Sequence, residues 1–439
     1  MVRPLTQLII ALGAMSACTQ ATVTKLNTAT VLVNTSIKFQ ELDGFGVSQA
    51  FQRALDIYGK QEIPSWCSTF SSALKRAPAS RYYAMGLAQA TATSNFMNSI
   101  EPFTPGSPNA SHHYVWDRND SGQFPLAQYA YDRGLMKLYG NAWSAPGYMK
   151  TNGDENNGGL LCGVTNASCE SGNWMQPYSN YLVQWAHFYK QSGVKVTNLG
   201  FLNEPKFAAS YAGMLSDGAQ AAEFIRVLAA TISPSTVVMQ EAMTAGLQAG
   251  PDPAEAYLDV VSGHGYNSVP DFPLTTMKRT WVTEWAGLSG GFTPYTFFAN
   301  GGSGEGMTWA RNIQVALVDA NVSAVFYWIG GENSTTDSGL INMIGDEVIP
   351  SKRFWAFAQF SRLARPGARR VEASSSSSLL YVSSFLNSDG SVATQAMNNT
   401  TQAFEVTFKV HAAGHIHTAQ PWVSKNVLVG ITLWYFDPC

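Results

Sequence analysis

The sequence predicts an α/β chain: a (β/α)8 barrel joined to a β-sandwich side domain built from both chain ends. Three observations carry this. Between residues 43 and 364, short apolar runs of strand length alternate with stretches of helical periodicity, the mark of a parallel sheet wrapped by helices. Two of those runs stop abruptly on a glutamate, where a parallel barrel exposes its reactive rim. After Arg370 the text turns to hairpins. The expected divisions are a leader at 1–21, side-domain strands at 22–40, the barrel at 41–368 and the remaining side domain at 369–439.

Residues 22–40 alternate Val23, Val31, Val33, Ile37 and Phe39 with polar residues and read as a strand pair ahead of the barrel. Barrel strand one is Asp43-Gly44-Phe45-Gly46-Val47-Ser48, with Phe51-Gln52-Arg53 leaving its tip. A long polar loop spans 95–120. Helical text at 128–133 precedes the strand 137–143, and Ser144-Ala145-Pro146-Gly147-Tyr148-Met149-Lys150 leaves it. A Gly/Asn-rich loop at 151–172 leads to an amphipathic helix at 178–192 and the strand 194–202. The expected elements then run helix 219–231, strand 236–239, helix 241–249, strand 257–266, strand 280–284, helix 305–320, strand 324–329 and helix 355–364. Strands at 379–386 and 392–397 flank the turn Asn387-Ser388-Asp389-Gly390, and a third follows at 404–410. The strands before residue 40 are free to pair with these.

The chemistry concentrates at Gly200-Phe201-Leu202-Asn203-Glu204-Pro205. A carboxylate at the tip of a buried strand is poorly placed for stability, and the proline stops the ladder just after it. Thr280-Trp281-Val282-Thr283-Glu284-Trp285 repeats the arrangement about 80 residues on, the spacing of three β/α units, which suggests strands four and seven. Paired carboxylates so placed are the constellation of a retaining glycosidase, one carboxyl as acid/base and the other as nucleophile. A single strand-end Glu is more often a cap or an ion-pair partner; the pair, with its adjacent Trp, is what shifts the reading to catalysis. Aromatic residues make up 12% of the chain, enough to serve both a large core and the stacking of sugar faces.

Charge is sparse, 13% Asp, Glu, Lys and Arg with a net of −3, which points away from nucleic acid and anionic membranes. Arg3 followed by an apolar run over 8–15 and small residues at Ala17 and Ala21 read as a secretory leader, too short for a permanent membrane span. The expectation is a secreted, extracellular protein acting as a monomer on a polysaccharide, with no cofactor and no metal. Of five cysteines, Cys162 and Cys169 bracket a short loop and are expected to form a disulfide in an oxidising compartment. Acceptor sequons for N-glycans at Asn34, Asn109, Asn119, Asn166, Asn321, Asn333, Asn398 and Asn399 fit such a surface.

Gly44-Phe45-Gly46, Trp143-Ser144-Ala145-Pro146 with Met149-Lys150, Asn203-Glu204-Pro205, Gly263-His264-Gly265-Tyr266 and Thr283-Glu284-Trp285, in this order along the chain, resemble glycoside hydrolase family 30, most closely its fungal endo-β-1,4-xylanase and glucuronoxylanase branch. The resemblance runs from about Phe39 to Val410. It implies a barrel with a β-sandwich and a retaining mechanism on β-1,4-xylan, with Glu204 as acid/base and Glu284 as nucleophile. Glu204 would then need a raised pKa, and Glu284 would need donors that keep it ionised. Asn203 would bond the sugar 2-hydroxyl or position the substrate. Trp143, Tyr266, Trp285 and Trp328 would line the cleft, His264 would orient a carboxylate, and Arg53 would grip a glucuronate branch with its planar fork. The same family also holds β-1,6-glucanase and glucosylceramidase-like activities.

The chain departs from the family at 60–93. Relatives carry a Gly-Ala-Gly-Phe-type second strand there, ending on an Arg that helps hold the nucleophile ionised. Here the text is Lys75-Arg76-Ala77-Pro78-Ala79-Ser80-Arg81-Tyr82-Tyr83-Ala84-Met85-Gly86-Leu87-Ala88-Gln89-Ala90, without strand patterning. A DNA string for the family strand can be written whose neighbouring frame reads as residues 77–90, so this segment is expected to be out of frame, to lie as helix or coil, and to leave two barrel edges unpaired. On that reading the protein would be a catalytically dead carbohydrate-binding protein. The loop after strand five is also short, and the tail 426–439 is not expected to continue a final strand.

Overall fold

The computed structural model describes residues 6–12, 27–58, 83–89, 98–232, 238–240, 244–289, 291–411, 416–425 and 430–438. The chain enters through β1 (Thr6–Leu12) and β2 (Asn27–Glu41). The pair expected at 22–40 is therefore one 15-residue strand. No Gly or Pro interrupts it, and Ala29, Val31 and Val33 alternate inward along its first half. Thr6–Leu12, within the expected leader, lies antiparallel to a strand of the side domain.

The barrel follows as β3 (Gly44–Gln49), α1 (Arg53–Tyr58), β4 (Tyr83–Gln89), α2 (Gln123–Tyr131), β5 (Leu135–Ala142), α3 (Met175–Gln191), β6 (Asn198–Gly200), α4 (Gly218–Thr231), β7 (Val238–Gln240), α5 (Thr244–Leu247), β8 (Val260–His264), β9 (Arg279–Glu284), α6 (Gly306–Val318) and β10 (Ala324–Trp328). Its parallel strands hydrogen-bond in the order β6-β5-β4-β3-β10-β9-β8-β7, and β6 lies against β7 to close the cylinder.

The expectation of a missing second strand is overturned. Tyr83–Gln89 runs parallel between β3 and β5, with Gly46 opposite Ala84 and Leu87 opposite Gly140. Pro78 precedes the strand instead of interrupting it, and the run Ala84-Met85-Gly86-Leu87-Ala88 carries nothing that bars an extended backbone. Cys18, Cys67 and Cys439 lie outside the described residues.

Helices form where apolar residues recur every three or four positions. In α3 this buries Tyr178, Tyr181, Leu182, Trp185 and Tyr189, and Trp185 Nε1 and Tyr189 Oη both donate to the buried Asp120 carboxylate (3.0 and 2.6 Å). A capping box, Asp217 with Gln220, starts α4. At the floor of the barrel Asp43 accepts from Trp281 Nε1 (2.8 Å) and pairs with Lys137 (2.7 Å) and Arg279. That neutralises its charge and leaves the opposite rim for chemistry.

Beyond β10 a small sheet of β11 (Gly331–Glu332), β12 (Ile341–Ile344) and β13 (Glu347–Pro350) leads to α7 (Lys352–Ser361). The side domain comprises β14 (Arg369–Ser375), β15 (Leu380–Leu386), β16 (Val392–Asn398), β17 (Phe404–His411), β18 (Ile416–Lys425) and β19 (Gly430–Pro438). Strands pair in the order β1-β17-β2-β14-β15-β16-β19-β18. The tail is thus a strand after all: Leu433-Trp434-Tyr435-Phe436 lies in register with both β16 and β18. The two domains share partly buried polar ties. Gln40 Nε2 donates to Leu317 and Val322 carbonyls, and Gln314 Nε2 to that of Val382 (2.6, 3.0 and 2.7 Å).

Candidate active site

The rim at the C-terminal ends of the strands gathers the candidate residues. Ser48 at the end of β3 donates to the Thr283 carbonyl (3.0 Å), Gly265 N–H to that of Glu284 (3.0 Å), and Trp328 N–H to that of Trp285 (3.1 Å). These ties fix the tips of β3, β8, β9 and β10 against one another. Gly265 is glycine for contact reasons, since a Cβ there would strike the Trp285 ring.

Glu204 and Glu284 meet on one imidazole. His264 Nδ1 lies 3.2 Å from Glu204 Oε1, and its Nε2 lies 3.6 Å from Glu284 Oε1. Glu204 stands four residues beyond β6 with φ 45°, a left-handed conformation that non-glycine residues rarely adopt. The Phe207 N–H closes a tight turn on the Glu204 carbonyl (2.8 Å). Asn203 is buried and its Oδ1 accepts from Asn141 Nδ2 (3.4 Å).

Burial pushes Glu284 up to about 7; neighbouring His264 opposes the rise and the Glu204 charge adds to it. This reverses the expectation that donors would hold Glu284 ionised. The physical reason is that desolvation outweighs the one imidazole beside it, and among the described residues no lysine or arginine pairs with it. The arginine that the resemblance places at the tip of strand two has no counterpart, since residues 90–97 contain none. The Tyr266 hydroxyl is buried beside Glu284 and pulls its pKa down slightly, although its geometry falls short of a hydrogen bond. The same burial and the Glu284 charge push the Tyr266 phenol well above its usual range.

The tryptophans at the rim are not open platforms. Trp143 is 2% exposed, packed among Phe51, Tyr211 and Trp328 at ring distances of 4.9, 5.6 and 5.6 Å. Its Nε1 donor has no acceptor among the described residues. Trp285 packs on Trp309 (5.3 Å), and Trp328 is 8% exposed. Arg53 opens α1 and pairs with Glu332 (3.7 Å) and Asp56 (3.8 Å), its side chain 38% exposed. The Cys162–Cys169 disulfide is formed in the loop after β5.

Tyr211 escaped the sequence reading. It lies in the loop beyond Glu204, hydrogen-bonds that carboxylate and is pushed up to about 12 by burial and by both glutamates. A tyrosine seven residues past a strand tip carries no spacing signal. Only the turn that folds residues 205–216 back over the rim, held by Ser216 N–H on the Pro205 carbonyl (3.1 Å), brings it there.

The profile described as the glycosyl hydrolase family 30 TIM-barrel domain matches residues 112–238, and that of the family 30 beta sandwich domain matches 367–422. The structure of the catalytic domain of GH30 xylanase C from Talaromyces cellulolyticus superposes with a TM-score of 0.81 at 32% identity, covering 93% of this chain and all of that one. The chain belongs to glycoside hydrolase family 30. As a family 30 glycosidase it has relatives of differing specificity. An endo-1,6-β-D-glucanase of Aspergillus fumigatus is 25% identical over 357 residues, 74% of this chain and 70% of that protein. A glucuronoxylanase of Bacillus subtilis is 22% identical over 309 residues, 66% of each.

Proposed function

We propose that this family 30 glycosidase is a secreted, retaining endo-β-1,4-xylanase acting on xylan or glucuronoxylan. The single observation that carries the mechanism is the imidazole of His264 held between the Glu204 and Glu284 carboxylates. The shared imidazole brings both carboxyls to one spot on the rim, as double displacement requires, with about 5–5.5 Å expected between them. Glu284 attacks the anomeric carbon while Glu204 gives its proton to the departing glycosidic oxygen, leaving a glycosyl ester on Glu284. Glu204 then takes a proton from water, which attacks the same carbon and releases Glu284.

Burial pushes Glu284 up to about 7, so its carboxylate, the form that attacks, becomes the major one only above that pH. His264 and Tyr211 both touch Glu204 and hold its carboxyl in place. Asn203, whose Oδ1 accepts from Asn141, is set beside the acid to position a sugar hydroxyl. Xylan is favoured over other β-glycans by the 32% identity to the Talaromyces xylanase structure. The Aspergillus relative supports β-1,6-glucan as the second reading. Release of reducing ends from xylan, glucuronoxylan and β-1,6-glucan tests the assignment. Cleavage of the two xylans but not the glucan is expected, and the reverse pattern would replace xylan with glucan.

A further inference from the structure

Phe207 is a large apolar side chain left 54% exposed in the loop that carries Glu204. Its exposure is a product of how the acid is held. Glu204 takes a left-handed backbone, Pro205 follows, and the Phe207 N–H closes the turn, so Phe207 is held one turn from the acid. It does not stand alone. Its ring meets Tyr211 edge-on at 6.4 Å, Tyr211 meets Phe51 at 5.5 Å and Trp143 at 5.6 Å, and Phe51 and Trp143 reach Trp328. This aromatic line is buried at Trp143 and Trp328, half-buried at Phe51 and Tyr211, and exposed at Phe207. Tyr211 also hydrogen-bonds Glu204, so the line passes directly beside that carboxyl.

We infer that Phe207 is the platform for the sugar unit on the leaving side of the scissile bond. The inference rests on Glu204 being the acid. The acid delivers its proton to the oxygen of the departing sugar, so that sugar must lie on Glu204's side of the cleft. A β-linked pyranose there presents C–H groups to an aromatic face and leaves its hydroxyls in water. An exposed ring in the acid's own loop, in contact with the Tyr211 that bonds Glu204, meets that requirement, and a buried tryptophan does not. Phe207 thus selects for a sugar leaving group and takes no part in bond breaking.

The test compares Phe207→Ala, Phe207→Trp and the wild-type enzyme on three readouts. These are the polymer the wild type cleaves, an aryl β-xylobioside whose leaving group is a phenol, and transfer from that aryl donor to added xylobiose relative to hydrolysis. Loss of one stacked ring is expected to lower kcat/KM on the polymer about three- to tenfold and to lower the transfer ratio by a similar factor. The aryl substrate should change less than about twofold, by the same reasoning. Phe207→Trp should restore both lost properties. Equal loss on polymer and aryl substrate, or an unmoved transfer ratio, would overturn the platform and leave the catalytic assignment standing. Failure of the catalytic assignment shows separately, as polymer cleavage that survives Glu204→Ala, and removes the basis of the platform with it.

Discussion

Replacing Glu284 by glutamine should stabilise the protein, and by an amount that grows with pH. Glu284 is buried, and its pKa rises from 4.5 to about 7 on folding, chiefly through desolvation. A carboxyl whose folded pKa is raised binds its proton more tightly in the native state. Below 4.5 both states hold the proton and the residue costs nothing. Between 4.5 and 7 the unfolded chain ionises first, and above 7 the native state carries the full cost of a buried charge. A shift of this size corresponds to about 3 kcal/mol at pH 8. Glutamine is isosteric and neutral, so Glu284→Gln should recover most of that, worth a few degrees in Tm for a chain this long. Thermal unfolding of both proteins at pH 4.5, 6, 7 and 8 measures it. The gap should be near zero at pH 4.5, open between 5 and 7, and level off above. A gap independent of pH, or a variant less stable than wild type at pH 8, would refute the claim that Glu284 is held against its own charge. Loss of turnover in the same variant would show that the cost is tolerated for function.

Glu284→Ala should abolish turnover on every substrate, while Glu204→Ala should spare substrates with very acidic leaving groups, which need little protonation; steady-state rates on xylan and on an aryl glycoside separate the two. Arg53→Ala should weaken action on glucuronoxylan about ten- to a hundredfold more than on unbranched xylan if its fork leaves Glu332 for a glucuronate, and equal effects would mark it as an internal ion-pair partner. Replacing Cys162 and Cys169 by serine opens a short loop and should cost about 2–3 kcal/mol, read as a lowered denaturation midpoint with kcat retained.

The barrel, its order of elements and the two rim glutamates were legible because each is written locally. An apolar run cut off by Asn203-Glu204-Pro205 states both strand and tip. Strand β4 was not legible, because Ala84, Gly86 and Ala88 have no intrinsic strand preference and are held extended by the ladders of β3 and β5. The same holds for β19, which is paired on both sides. Tyr211 and the Arg53–Glu332 pair were hidden because their contacts depend on chain return, in the second case between the tips of the first and last barrel strands, neighbours in space but far apart in sequence. The pKa of Glu284 was misjudged in direction, since burial is a property of the packed rim and not of the residue's neighbours in sequence.

Glu284 is proposed as the nucleophile of a retaining reaction. Incubation with a 2-deoxy-2-fluoro-β-xylobiosyl donor bearing a good leaving group, followed by peptide mass spectrometry, tests it most directly, because slowed hydrolysis traps the glycosyl ester. One added 2-deoxy-2-fluoroxylobiosyl mass is expected on the peptide containing Thr283-Glu284-Trp285 and none in Glu284→Gln. A label on the Glu204 peptide, or turnover of the parent substrate with inversion of the anomeric centre and no label at all, would contradict it.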